Sequence, residues 1–180
     1  MSDNIIVLKD IDRCLVKHDR TNNTIVKNFR GFDKKKRFEN EITILQYLES
    51  KGCECVPKLL DSDPDTLTTI TTHVGERVFE INEVDHRVLH NRVEAFGVAH
   101  NDRKLNPDLF EPNLIKKIQP VDQVKNEDGT YTMTYKAKVE EPRTINNPKN
   151  IVQNEEGEYY LIDFEFADLD EESAQLEIAL

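Results

Sequence analysis

The stretch NPKNIVQNEEGEYYLIDFEFA, residues 147 to 167, constrains the fold of this 180-residue chain more than any other. Asn154-Glu155-Glu156-Gly157 has the chemistry of a tight turn, and Tyr159-Tyr160-Leu161-Ile162 reads as a strand that delivers Asp163 at its end. One hairpin therefore brings Asn150 and Asp163 together. An amide oxygen beside a carboxylate suits a hard cation such as Mg2+, which takes oxygen ligands and phosphate partners. Such a hairpin has a chemical purpose only if other segments supply polar groups to the same place.

The first thirty residues read as three short strands, Ile5–Leu8, Cys14–His18 and Thr24–Phe29, the last β-branched and alternating. From Lys34 to Ser50 the period becomes helical through Phe38, Ile42, Leu45 and Leu48, and Gly52 is placed to stop the helix. Val56–Leu60 and Leu67–Thr72 read as further strands, split by the turn Asp61-Ser62-Asp63-Pro64. Helical spacing returns over Val84–Phe96 through Val84, Val88, Leu89 and Val93, closing at Gly97. Residues 104–146 differ in character. Pro107, Pro112 and Pro120 punctuate the first part, and Glu127-Asp128-Gly129-Thr130 is a hairpin turn before the alternating run Tyr131–Val139. The segment reads as an inserted β-hairpin arm, and Asp168–Leu180 as a short acidic helix. The fold class expected is α+β.

A formal net charge of −11 opposes association with nucleic acid or an anionic membrane surface. The sequence has no apolar run long enough to cross a bilayer and no signal-peptide pattern near Met1, so neither nucleic acid nor membrane is an expected partner. Three cysteines, an odd number, point to a reducing, cytoplasmic setting. Cys53 and Cys55 form a lone pair with too few neighbouring ligands for a structural zinc site. The run Lys34-Lys35-Lys36-Arg37 reads as a solvated basic face.

Two further pairs complete a constellation. Lys27 lies within the third strand, and Glu41 lies on the inner edge of the first helix, within reach of a neighbouring strand. A lysine held by a glutamate keeps its ammonium oriented toward phosphate oxygens. His100-Asn101-Asp102 follows the second helix, where a carboxylate at a crevice can accept a proton from an attacking hydroxyl.

In this order, Lys27, Glu41, His100-x-Asp102, Asn150 and Asp163-Phe164-Glu165 resemble the protein-kinase-like superfamily, which includes aminoglycoside phosphotransferases and small atypical kinases. The resemblance is strongest over 97–102 and 147–167 and moderate over 24–60. It implies a minimal two-lobed protein-kinase-like fold, with an N-terminal lobe over 1–74 and a reduced C-terminal lobe over 75–180. The arm 104–146 is then inserted in the catalytic loop. The resemblance implies that Lys27 contacts the phosphates of ATP and that Glu41 pairs with it. Asp102, with His100 beside it, becomes the catalytic base, and Asn150 and Asp163 become the Mg2+ ligands. Thr71-Thr72-His73-Val74-Gly75-Glu76 becomes the hinge where adenine docks, with His73 a surface residue. The implied function is ATP- and Mg2+-dependent phosphoryl transfer to a hydroxyl acceptor, a protein or a small molecule. The alternative is a nucleotide-binding pseudokinase that acts as an interaction module.

The sequence departs from that pattern in four places. Lys9-Asp10-Ile11-Asp12-Arg13 supplies no glycine for a phosphate-wrapping loop. Asn150 follows Asp102 by 48 residues, where the family spacing is five, and Asn106 is a rival for its role. Asp-Phe-Glu replaces Asp-Phe-Gly. Only seventeen residues follow Asp163, too few for an activation segment and the usual lower-lobe helices. The apolar stripe of Val84–Phe96 is therefore expected to be covered by the arm, the tail, a second subunit or a partner protein.

Overall fold

The structure, a computed structural model, describes residues 4–110, 117–138 and 142–170. Apolar and β-branched residues in the first third produce a meander of β1 (Ile5–Ile11), β2 (Cys14–Asp19) and β3 (Thr24–Phe29), antiparallel throughout. After α1 (Lys34–Ser50), β4 (Leu59–Asp63) and β5 (Thr68–Thr72) complete a five-stranded sheet in the order β1-β2-β3-β5-β4. Its register pairs Val16 with Lys27 and Lys27 with Thr69, which puts Lys27 in the middle strand. In α1 the helical period buries Phe38, Ile44, Leu45 and Leu48, and the same face buries two charged residues, Arg37 and Glu41. Each fully buried aliphatic side chain contributes about 1.5–3 kcal/mol, so this face fixes the helix against the sheet.

Two sequence expectations shift here. The fourth strand is not Val56–Leu60 but Leu59–Asp63, and the turn falls after it, at Pro64–Leu67. Cys53, Cys55 and Val56 are buried in irregular backbone that feeds the core. Within the basic run, Lys34, Lys35 and Lys36 are exposed, but Arg37 is 3% exposed and faces inward.

The second part of the chain is assembled from short pieces. β6 (Glu76–Arg77) and β7 (Glu80–Asn82) lead into α2 (Glu83–Glu94), whose first turn is capped by Asn82 accepting from the Val84 N–H at 2.8 Å. β8 (Val98–Ala99), α3 (Asn101–Leu105) and a 3-10 turn (Pro107–Leu109) follow. β9 (Lys117–Lys125) and β10 (Tyr131–Lys138) pair only with one another, with the exposed Glu127-Asp128-Gly129 turn at the tip. β11 (Thr144–Asn146) pairs with β7, β12 (Ile151–Gln153) with both β13 (Tyr159–Leu161) and β6, and β14 (Asp168–Leu169) with β8. The fold is mixed α+β, dominated by antiparallel sheets with few helices. No helix among the described residues is long and apolar enough to cross a membrane.

One buried apolar cluster connects these parts, running from Ile44, Leu45 and Leu48 of α1 to Leu89 and Val93 of α2 and on to Ile151, Leu161 and Phe164. The inner face of α2 differs from the sequence expectation. Leu89 and Val93 are buried, but Val84 and Val88 are 38% and 50% exposed. Glu83, His86 and His90 take the remaining inward positions. The expected acidic helix from Asp168 begins instead as a strand, since Asp168 and Leu169 pair with Ala99 and Val98; residues 171–180 lie outside the described residues. Both ends of the 104–146 arm belong to the body of the protein. Phe110 is buried against His86 and His90, β11 extends β7, and Arg143 pairs with Glu83 at 2.6 Å. Among the described residues, β9 and β10 form a sheet of their own.

Candidate polar site

Lys27 brings a buried charge to the face of the first sheet that α1 covers. A lone ammonium there is costly, and three carboxylates offset the cost. Its Nζ donates to Glu41 Oε2 at 2.5 Å and to Asp163 Oδ1 at 2.7 Å, and lies 3.3 Å from Glu165 Oε2. Burial opposes the Lys27 charge, but Glu41, Asp163 and Glu165 together override it and hold the ammonium above its ordinary pKa. Burial pushes Glu41 up to about 7 against the pull of Lys27. Burial also works to raise Asp163, yet the charge and hydrogen bond of Lys27 prevail and hold it below its usual range.

A second group forms where α2 gives way to β8 and α3. His100 caps α3 through Nδ1, which accepts the Asp102 N–H at 3.3 Å. Because Nδ1 accepts, Nε2 carries the proton and donates to the carbonyls of Ile162 and Asp163, each at 3.1 Å. The imidazole thus ties the backbone of Asp102 to that of Asp163. Asn150 Nδ2 donates to both Asp102 oxygens, at 3.1 and 3.3 Å, although 48 residues separate the two in sequence. Asn106 is exposed at the end of α3 and its N–H donates to the Asp102 carbonyl. Burial raises the Asp102 carboxyl above its ordinary pKa, against the lowering effects of His100 and the Asn150 hydrogen bond.

The two groups meet through the hairpin that carries Asn150 and Asp163. The Ile162 N–H donates to the Asn150 carbonyl at 2.9 Å, which locks the two positions together. Asn150 (φ 59°) and Asp163 (φ 68°) both occupy the left-handed region, which Asn and Asp tolerate better than other non-glycine residues. The donor set is all oxygen. With its side-chain nitrogen turned to Asp102, the Asn150 side-chain oxygen Oδ1 is left for another partner, and the Asp163 carboxylate has a second oxygen beyond the one on Lys27. These groups fit a hard divalent cation.

Three residues that the sequence reading did not assign to the site complete it. Glu165 is buried between Lys27 and Arg37, whose Nη1 donates to it at 3.2 Å. Arg37 also donates to the carbonyls of Phe32, Arg13 and Arg30, and so fastens the β1–β2 turn to the segment after β13. Asn40 donates its side-chain amide to the carbonyls of Phe164, Glu165 and Ala167, at 2.9–3.3 Å. Glu41, Asp163 and Glu165 have carboxylate oxygens within 4.8 Å of one another. Asn40 and Arg37 precede Glu41 by one residue and one helical turn, which is the only sequence signal that would have placed them here.

Other expected features stand apart. The β1–β2 connection is the two-residue turn Asp12-Arg13, and Gly31 is pressed against it so closely that an added Cβ would lie 2.8 Å from the Asp12 carbonyl oxygen. His73 is not a surface residue: it is half-buried and stacks on His18, with ring centroids 3.9 Å apart. Cys53 and Cys55 are free, buried thiols 3.7 Å apart. A surface depression of about 630 Å3, lined in part by Cys55, Val88, Arg92 and Tyr159, includes none of the polar-site residues. No protein-family model matches the chain, and no curated protein matches it.

Proposed function

We propose that this protein is an ATP- and Mg2+-dependent phosphotransferase of minimal protein-kinase-like architecture, acting on a hydroxyl acceptor. The supporting observation is convergence: Lys27 from β3, Glu41 from α1, Asp102 from α3, and Asn150 and Asp163 flanking β12 and β13 meet in one buried polar cluster. The N-terminal lobe covers 1–74 and the reduced C-terminal lobe 75–180, and nucleotide enters beside the segment from Thr71 to Glu76. When bound, ATP supplies the phosphoryl group and Mg2+ offsets its charge.

The chain's own residues then have distinct tasks. Lys27 would direct positive charge at the phosphate oxygens, and Glu41, at 2.5 Å, would hold the ammonium in place. Asn150 and Asp163 would hold Mg2+ through oxygen, and the ion would supply charge to offset the phosphates. Asp102 takes the proton released as the acceptor oxygen attacks, and the upward shift of its pKa by burial makes it a better base. His100 positions both carboxylates through backbone contacts. Little covalent chemistry is asked of the protein, so placement and charge carry the rate.

A second reading, a nucleotide-binding module without transfer, is favoured by the two-residue β1–β2 turn. That turn offers few backbone N–H groups to phosphate, and Arg37 holds it in place. Incubation with γ-labelled ATP and Mg2+, followed by mass spectrometry of the protein and of supplied hydroxyl compounds, separates the two. Transfer that is lost in Asp102→Asn supports the phosphotransferase. Nucleotide binding without any transfer supports the module.

A further inference from the structure

Two imidazoles and a carboxylate meet away from the Lys27 cluster. His18 is the fifth residue of β2, and the register His18–Ile25–Thr71 across β2, β3 and β5 sets His18 and Thr71 on one face. His73 lies two residues past Thr71 and returns to the same face, where its ring stacks on His18 at 13° from parallel. Glu76 opens β6, and its Oε1 lies 3.5 Å from His73 Nε2. One ligand atom from each of the three residues lies within 4.8 Å of the other two.

The decisive atom is His18 Nε2. His18 is 7% exposed, and this nitrogen is buried without a hydrogen-bond partner among the described residues. An unsatisfied buried nitrogen costs free energy, and a ligand from outside the chain would remove that cost. Small bridging anions fit poorly beside the Glu76 carboxylate, whereas a cation satisfies all three groups.

We propose that His18, His73 and Glu76 form a binding site for a divalent transition-metal ion, with Zn2+ the best fit, that ties β2 to the β5–β6 connection. Imidazole and carboxylate are zinc ligands at about 2.0–2.2 Å, which sets neighbouring ligand atoms of a tetrahedron about 3.4 Å apart. The His73–Glu76 separation already meets that spacing. Three protein ligands leave a fourth position for water. The backbone holds the set in advance. Glu76 pairs with Gln153 in the sheet, and Gly75, at φ +144°, lies so near β12 that an added Cβ would sit 2.3 Å from the Gln153 carbonyl oxygen. A metal lies in the plane of each imidazole that binds it, and two parallel stacked rings cannot share one. Loading therefore turns the His73 ring, the less buried of the two, out of the stack.

This site shares the segment from Thr71 to Glu76 with the nucleotide reading but uses none of Lys27, Glu41, His100, Asp102, Asn150 and Asp163, so a test without nucleotide separates the two. Metal-free protein is titrated with Zn2+ against a chromophoric chelator, and with Co2+ while the visible and near-ultraviolet spectrum is recorded. One ion binds per chain. His18→Gln and His73→Gln each weaken binding by more than the 10–100-fold typical of losing an outer-shell partner, and Glu76→Gln weakens it less. The Co2+ spectrum lacks a thiolate charge-transfer band, which excludes the Cys53–Cys55 pair. In the wild-type protein, Zn2+ moves the ring signals of His18 and His73 by NMR, while those of the other three of its five histidines stay in place. That measurement needs no variant to fold. Unchanged affinity in both histidine variants, a thiolate band, no binding, or ring shifts elsewhere overturns the proposal.

Discussion

Replacing Lys27 with methionine tests the electrostatics of the polar site most severely. The change keeps an unbranched apolar stem and removes the ammonium, together with its contact over the Phe29 ring at 4.7 Å. Glu41 and Asp163 are left in a buried setting, and Arg37 remains only for Glu165. Removing one partner of a buried ion pair costs about 3–5 kcal/mol. Its pH dependence follows from linkage. Without Lys27, Glu41 and Asp163 each bind a proton more tightly than in the wild type. Between a group's pKa in the variant and its pKa in the wild type, the destabilisation falls with acidification by about 1.4 kcal/mol per pH unit. For Glu41 this window extends upward from about 7, and for Asp163 it extends upward from below its ordinary value. Urea unfolding followed by circular dichroism, at pH 8 and pH 5, measures it. The expected loss is about 3–5 kcal/mol at pH 8 and about 1–3 kcal/mol at pH 5. A loss below about 1 kcal/mol at pH 8, or one identical at both pH values, refutes the reasoning.

The Arg37–Glu165 pair should show its coupling in a double-mutant cycle of Arg37→Met and Glu165→Gln, with an interaction energy of about 1–3 kcal/mol by urea unfolding; additivity would remove Arg37 from the site. Replacing Ile118–Ala137 with a two-residue turn joins two positions already paired across the hairpin, and stability should stay within about 0.5 kcal/mol, whereas a large loss in melting temperature would show that the hairpin packs on the body. Burial holds His86 down at about 4 and His90 at about 2, so both are neutral in the folded protein and gain protons on unfolding below about pH 6.5. Their contribution is intact above that pH and is lost as the pH falls, by roughly 1.4 kcal/mol per unit for each. His90→Phe should therefore flatten the melting temperature profile between pH 6.5 and 4, and an unchanged slope would contradict the assignment.

The parts of this architecture that were legible in the sequence are those set by local chemistry. A tight turn and an alternating strand bring Asn150 to Asp163, and helical spacing turns Glu41 inward toward Lys27. The parts that were hidden depend on distant partners. Arg37 looks like one more basic residue in a solvated run, and a carboxylate 128 residues away, with the carbonyls of Arg13, Arg30 and Phe32, explains its burial. Asn40 looks like a surface amide until the carbonyls of 164, 165 and 167 arrive at it. The buried face of α2 is illegible in the periodicity because two of its buried positions are histidines, which count as polar, while Val84 and Val88 are exposed. The bounds of β4 are equally hidden, because an edge strand takes its register from its partner β5 rather than from its own apolar letters. β6, β8 and β14 are two residues long, too short for any period to register.

The central claim is that the Lys27 cluster is a metal-dependent nucleotide site. Calorimetric titration of the wild-type protein and of Asp163→Ala with ATP, each with and without Mg2+, tests it most directly. The account predicts that Mg2+ strengthens ATP binding to the wild-type protein and that Asp163→Ala loses this enhancement, a difference of at least about tenfold, or 1.4 kcal/mol. Binding of equal strength with and without Mg2+, or in both proteins, would contradict it.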